Sequence, residues 1–249
     1  MFNLKDRTIM IFGGTGELMG NIAIGLAKQN AKVIIIGRNK NKATSITNKD
    51  PLNQIDFIEH DILKDDLDHL FIKVYKKYSH INMLINGAGI NSATPFLSIG
   101  DEEIKQIFEI NYTFVVKCCQ RYIKKTLEIK KSGNILNIGS VSGINPLSKV
   151  YMYSASKAAL HNLSKNLARE YGNDNIQTNI LVPGFFPAEQ NKNILSTERI
   201  SQIMSQTPMK RFGKPCELIG MVILLASDHG SFINGSELII DGGYSINKI

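Results

Sequence analysis

Ser140, Tyr153 and Lys157 are the residues whose types and spacing could do chemistry together. Side chains four apart on an α-helix share a face, so a helix opening at Tyr153-Ser-Ala-Ser-Lys157 carries a phenol and an ammonium on one side. A strand over Asn134 to Gly139 would deliver Ser140 to the same place. A phenol in water has a pKa near 10, and useful proton exchange near neutrality needs a shift of roughly 3 units. An ammonium at about 4 Å, in an effective dielectric of about 20, contributes on the order of 4 kcal/mol, enough for Lys157 alone to activate Tyr153. A serine hydroxyl beside the phenol can hold a carbonyl or alcohol oxygen, so that proton and hydride arrive on one pose. The plainer alternative is an ordinary half-buried tyrosine beside a solvated lysine.

These side chains need a frame. Val- and Ile-rich segments recur at Thr8 to Phe12, Lys32 to Ile36, Ile55 to Ile58, Asn82 to Ile85, Asn134 to Ile138, Ile176 to Leu181 and Glu237 to Ile240. Each of the first six is followed by an amphipathic stretch of helical length. Short apolar strands alternating with helices imply an α/β fold: a doubly wound (Rossmann) seven-stranded parallel sheet with helices on both faces. With no internal repeat, linker or low-complexity segment, residues 1–249 read as a single domain.

Composition narrows the class. An apolar content of 43% suits a soluble globule, and 249 residues bury a substantial core without staples. Lys5, Asp6 and Arg7 interrupt the N-terminus before any apolar run, and the longest apolar stretch, Leu218 to Ala226, is too short to span a bilayer. A cytoplasmic protein is expected, with no membrane partner. Cys118, Cys119 and Cys216 give neither a disulfide framework nor zinc spacing, and read as buried small apolar residues. No histidine pair has ligand spacing, His60 and His161 included, so no metal is expected. The net charge of +7 is spread along the chain, with short clusters at Arg38-Asn-Lys40-Asn-Lys42 and Lys124-Lys125. Compositional bias or an anionic substrate and cofactor accounts for it better than nucleic acid.

Ser140 precedes Tyr153 by 13 residues, the spacing of the short-chain dehydrogenase/reductase family, which the chain resembles from near Met1 to Gly243. Gly13-Gly-Thr-Gly16-Glu-Leu-Met-Gly20, after the first strand and opening a helix to about Gln29, resembles the family's phosphate-binding turn. It departs from T-G-x-x-x-G-x-G in placing Phe12 at the threonine, Glu17 at the second glycine and Met19 at the third. A carboxylate at Glu17 would repel phosphate and Met19 would push the helix from the sheet, with Gly16 and Gly20 each one residue away to compensate. Thr15 and Leu18 belong to the same expected cofactor contact. Gly37 stands where an acid would select NAD, and Arg38 follows, which favours NADP; a solvated loop charge is the other reading of Arg38. Asp61, with Ile62, falls at the adenine position. Asn86-Gly-Ala88-Gly89 resembles the turn supporting the ribose, and Asn111 falls at the family's catalytic asparagine, where it would hold a water linking Lys157 to solvent or simply satisfy backbone groups at a kink. Pro183-Gly184 resembles the turn facing the nicotinamide carboxamide, with Phe186 nearby.

The resemblance implies an oxidoreductase interconverting a carbonyl and a secondary alcohol, with Asn111, Ser140, Tyr153 and Lys157 as catalytic residues. A substrate-covering lid is expected over about 185–209. Asn91, Ser142, Glu189 and Gln190, with Phe185, form the expected substrate contact; this polarity and the runs Ala88-Gly-Ile-Asn-Ser92 and Pro183 to Asn191 look like the sugar-acid branch, the mannonate oxidoreductases and gluconate 5-dehydrogenases. The open alternatives are a 3-oxoacyl or hydroxysteroid reductase and a non-catalytic nucleotide-binding scaffold or sensor. A homotetramer or homodimer is implied, to which the stripe Leu160, Leu163, Leu167 could contribute if it is not core.

Overall fold

The apolar runs dictate a sheet buried on both faces. In a computed structural model, which describes residues 2–186 and 196–246, they form β1 (Thr8–Phe12), β2 (Lys32–Gly37), β3 (Ile55–Glu59), β4 (Met83–Asn86), β5 (Gly133–Ile138), β6 (Ile176–Pro183) and β7 (Glu237–Ile240). Among these residues the strands make one seven-stranded sheet in the order β3-β2-β1-β4-β5-β6-β7, every pairing parallel. Parallel pairing requires crossovers, supplied by α1 (Glu17–Ala27), α2 (Lys40–Thr47), α3 (Leu67–Lys77), α4 (Asp101–Phe108), α5 (Phe114–Glu128) and α6 (Tyr151–Tyr171); α7 (Thr197–Gln206) and α8 (Ile219–Ala226) lie between β6 and β7. The expected Rossmann architecture is the observed one, with α6 starting two residues earlier than Tyr153.

Alternate side chains of one strand serve two cores. Ile9 and Ile11 pack with Met19, Ile22 and Leu26 of α1 and Leu225 of α8. Met10 and Phe12 pack with Phe71 of α3, Phe114 of α5 and Leu160 of α6. Leu163 and Leu167 join that second core, so the α6 stripe packs inward. Cys118 and Cys119 are buried as expected, but Cys216 is exposed: it lies on a short 3₁₀ turn, Pro215–Leu218, that buries Leu218 instead. No helix among the described residues is long and apolar enough to cross a membrane.

The strand order reverses between β1 and β4, and ligands of such sheets bind where the carboxyl ends of the diverging strands open a crevice. The register brings those ends level. Phe12 pairs with Ile36 and with Asn86, Asn86 with Asn137, and Ile138 with Leu181. The loops leaving at Gly13, Gly37, Gly87 and Gly139 therefore start from one rim.

Phe12 explains its own departure from the family threonine. Fully buried, it lies 5.1 Å, edge to face, from Phe114 and 6.4 Å from Phe71, ring centroid to centroid. Phe12→Ala should lower stability by about 3–5 kcal/mol, read from urea unfolding midpoints. A loss under about 1 kcal/mol would mean that the neighbouring rings do not depend on it.

Candidate active site

Ser140 leaves β5 with extended backbone at φ −163°, and its hydroxyl accepts hydrogen bonds from Ser142 N at 3.2 Å and Ser142 Oγ at 3.0 Å. The hydroxyl lies near enough to the Tyr153 phenol to pull its pKa down. One helical turn on, Lys157 is 4% exposed; its Nζ donates to the Ile138 carbonyl at 2.7 Å and lies 5.6 Å from the centre of the Tyr153 ring. The three side chains that the spacing singled out do converge.

Their electrostatics differ from the simple expectation. Burial pushes the Tyr153 phenol up, against an opposing pull from the Ser140 hydroxyl. Burial also brings the Lys157 ammonium down to about 8. One ammonium therefore does not bring the phenol to neutrality, because both groups lose hydration in the same pocket.

Asn111 lies within a π-helical turn, Glu109–Thr113, between α4 and α5. Fully buried, its amide accepts from Ile90 N and donates to Ile90 O, both at 2.9 Å, and donates to Ser156 Oγ at 3.1 Å. The extra residue of a π-turn frees the backbone that such a side chain then replaces. Asn111 thereby fixes the loop after β4, whose Gly89 lies against Lys157 Nζ.

Around this centre a cleft of about 460 Å³ runs from Arg38 and Lys42 to Arg199. Of the expected cofactor residues, Gly13, Thr15, Gly16, Leu18, Arg38, Ile62, Ala88, Gly89, Tyr153, Lys157, Pro183, Gly184 and Phe186 line it, as do Asn91 and Phe185 of the substrate set. Three described residues of the cofactor and substrate sets do not, nor does Asn111. Asn86 points into the sheet, donating to Asn137 Oδ1 at 2.8 Å; Asn137 donates to Ser164 Oγ, so the chain ties β4 and β5 to α6. Asp61 is held near its own loop, accepting from Leu63 N at 3.0 Å with Arg38 at 3.8 Å. Ser142 is buried behind Ser140. Glu189 and Gln190 lie outside the described residues.

The first turn fits a nicotinamide dinucleotide. Gly13 has φ +72°, and a Cβ there would come 2.7 Å from Ala88 N, so only glycine lets this turn pack against the loop after β4. Gly16 starts α1 without a side-chain cap, which leaves first-turn N–H groups for an anion. Glu17 is exposed at the cleft. Met19 does not push the helix away: its sulfur fills the space beside Gly87, where a Cβ would come within 2.3 Å. Among the described residues no cluster of three or more His, Cys, Asp or Glu could hold a metal ion.

Two polar residues at this centre are not among the expected catalytic, cofactor or substrate residues, although the sequence raises His161 as a metal ligand, only to set it aside, and Arg199 falls within the expected lid segment. Arg199 lines the cleft from the first turn of α7, a segment without any local motif to mark it. His161, one turn past Lys157, is 4% exposed; Ser140 N donates to its Nε2 at 3.2 Å, which places the ring proton on Nδ1, 3.4 Å from Glu237 Oε1. Lys165 holds that carboxylate at 2.6 Å. The spacing 153, 157, 161 was the available signal.

A family model described as enoyl-(acyl carrier protein) reductase matches residues 20–245. The 5-keto-D-gluconate 5-reductase of Escherichia coli is 29% identical, over 98% of this chain and 97% of the relative. The rhamnolipid-biosynthesis 3-oxoacyl-[acyl-carrier-protein] reductase of Pseudomonas aeruginosa is 28% identical over 98% of each. The crystal structure of a gluconate 5-dehydrogenase from Burkholderia cenocepacia in complex with NADP and tartrate superposes with a TM-score of 0.91 at 27% identity, covering 98% of this chain and 97% of that one. That of a putative D-mannonate oxidoreductase from Haemophilus influenzae with bound NAD gives 0.90 at 29%, covering 99% and 97%.

Burial holds the His161 pKa below 6.5, Glu237 opposing and Lys157 and Lys165 reinforcing. The folded protein then resists a proton that the unfolded chain accepts, so this contribution to stability is lost as pH falls below about 6.5. Urea midpoints at pH 7.5 and 5.5 should fall less in His161→Leu than in the parent protein; equal falls would show a solvated ring.

Proposed function

Given that the chain belongs to the short-chain dehydrogenase/reductase family, we propose that it interconverts a carbonyl and a secondary alcohol on a keto sugar acid or related keto sugar, with NADP preferred and Tyr153 as acid/base. Its membership makes it an NAD(P)-dependent oxidoreductase, an enzyme rather than a scaffold. The observation that carries the mechanistic reading is the Ser140 hydroxyl beside the Tyr153 phenol, with the Lys157 ammonium one turn below.

When bound, the cofactor supplies or accepts the hydride. The chain's share is the proton. A phenol raised by burial is neutral across the physiological range, the state that carbonyl reduction needs. Ser140 orients the substrate oxygen, Tyr153 passes its proton to that oxygen, and the phenolate left behind is stabilised by Ser140 and Lys157. Lys157 returns a proton, and Asn111, beside the Gly89 turn, shapes the passage by which that proton is replaced from solvent.

NADP is favoured by Arg38, just past the end of β2, and Lys42, in the first turn of α2, both lining the cleft where Gly37 offers no acid to a ribose hydroxyl. A single domain and a lid over about 185–209 remain part of this reading; of the lid, residues 196–209 with α7 are described, and 187–195 lie outside the described residues. Sugar-acid specificity is supported by the keto-gluconate relative and by the gluconate 5-dehydrogenase solved with tartrate, a hydroxylated dicarboxylate. A 3-oxoacyl substrate is the second reading, favoured by the apolar cleft wall of Val141, Leu147, Val150 and Phe185 and by the 3-oxoacyl relative. Exposed Phe232 on the loop before β7 and Ile239 on that edge strand support self-association as a homodimer or homotetramer. The free, exposed Cys216 suits the reducing cytoplasm.

With NADPH and a panel of keto sugar acids and acetoacetyl thioesters, Tyr153→Phe should lower turnover by about 10³-fold or more while changing NADPH affinity less than about 3-fold. Retention of a tenth of the parent rate would remove Tyr153 from the proton step.

A further inference from the structure

Resting on the reading of an anionic hydroxylated substrate, we infer that Arg199 is the residue that binds the substrate's carboxylate and selects charged over neutral carbonyl compounds. The cations lining the cleft divide by position. Arg38 and Lys42 lie at the β2 end, Lys157 is buried with its ammonium on the Ile138 carbonyl, and Arg199 stands at the other end.

The surroundings of Arg199 fit it to receive an anion. Its Nη2 donates to the Ser148 carbonyl at 2.9 Å, and Ser148 belongs to the loop between Ser140 and Tyr153 whose Leu147 and Val150 line the cleft. The guanidinium is near enough to Tyr244 to pull its phenol down against the rise that burial causes, and Tyr244 packs edge-on against Phe185 at 4.9 Å. Arg199 is thus anchored where the catalytic loop, the loop after β6 and the C-terminal segment meet. Among the described residues no carboxylate lies within ion-pair distance of it, and Glu17, at the phosphate-binding turn, is the carboxylate that lines the cleft.

A guanidinium tethered through one nitrogen keeps donors for a carboxylate, which it binds with two parallel hydrogen bonds. Partly removed from water and with no acidic partner among the described residues, it gains most from a ligand that brings the charge. The carbonyl to be reduced lies at Ser140 and Tyr153, so the substrate's reacting carbon and its carboxylate are separate groups.

The test uses the full-length protein saturated with NADPH and the variants Arg199→Met and Arg199→Lys. The probes are 5-keto-D-gluconate, the neutral ketose xylulose, and tartrate as a non-reacting ligand titrated calorimetrically. Arg199→Met should raise the KM for 5-keto-D-gluconate and the Kd for tartrate by about 30-fold or more, with kcat within about 3-fold and the xylulose KM unchanged; Arg199→Lys should fall between. Equal losses for charged and neutral probes, or no change in either carboxylate constant, would overturn the assignment. If the parent protein reduces xylulose but not 5-keto-D-gluconate, the sugar-acid reading fails, and Arg199 is then decided by tartrate alone: a Kd that Arg199→Met raises upholds it. A Kd that does not move, or no binding to the parent protein, ends it.

Discussion

A buried ammonium organises this site. Taking Lys157 out of water costs free energy that only a well-placed acceptor recovers, and the Ile138 carbonyl at the carboxyl end of β5 is that acceptor. The bond joins the first turns of α6 to the sheet rim. With it fixed, Tyr153 one turn earlier meets Ser140, and His161 one turn later receives the Ser140 amide. Gly139 permits this approach, since a Cβ there would come 2.2 Å from His161 Nε2.

The same burial sets the protonation states. A phenol and an ammonium sharing a poorly hydrated pocket shift in opposite directions, the phenol up and the ammonium to about 8. The phenol holds its proton for donation, and the lysine can give one up near physiological pH. Buried amides hold the frame around them: Asn111 clamps Ile90, while Asn86 and Asn137 bind strands to α6 through Ser164. Positive charge collects towards the two ends of the cleft, a distribution suited to an anionic cofactor at one end and an anionic substrate at the other.

Much of this was legible before any coordinates. Short runs of β-branched residues such as Lys32 to Ile36, alternating with amphipathic stretches of helical length, read as strands covered on both sides, and the 140, 153, 157 spacing brings three side chains to one rim. What the sequence hid was direction and environment. Nothing local says that Asn86 turns into the sheet toward Asn137, that Ser142 sits behind Ser140, or that Asp61 folds back on Leu63, since each depends on partners distant in the chain or on loop geometry. Pairwise Coulomb reasoning misjudged the phenol because it counted the attraction of Lys157 and left out the desolvation of both groups. Met19 looked disruptive until its sulfur was seen beside Gly87. Arg199 had no motif around it.

The buried state of Lys157 is measured most directly by following its side-chain ¹³Cε or ¹⁵Nζ resonance against pH, assigned with Lys157→Met. The structure predicts a midpoint of about 8. A midpoint of about 10.4, the value of a solvated lysine, would contradict it, because an ammonium in water could neither tie α6 to Ile138 nor support the Tyr153 phenolate.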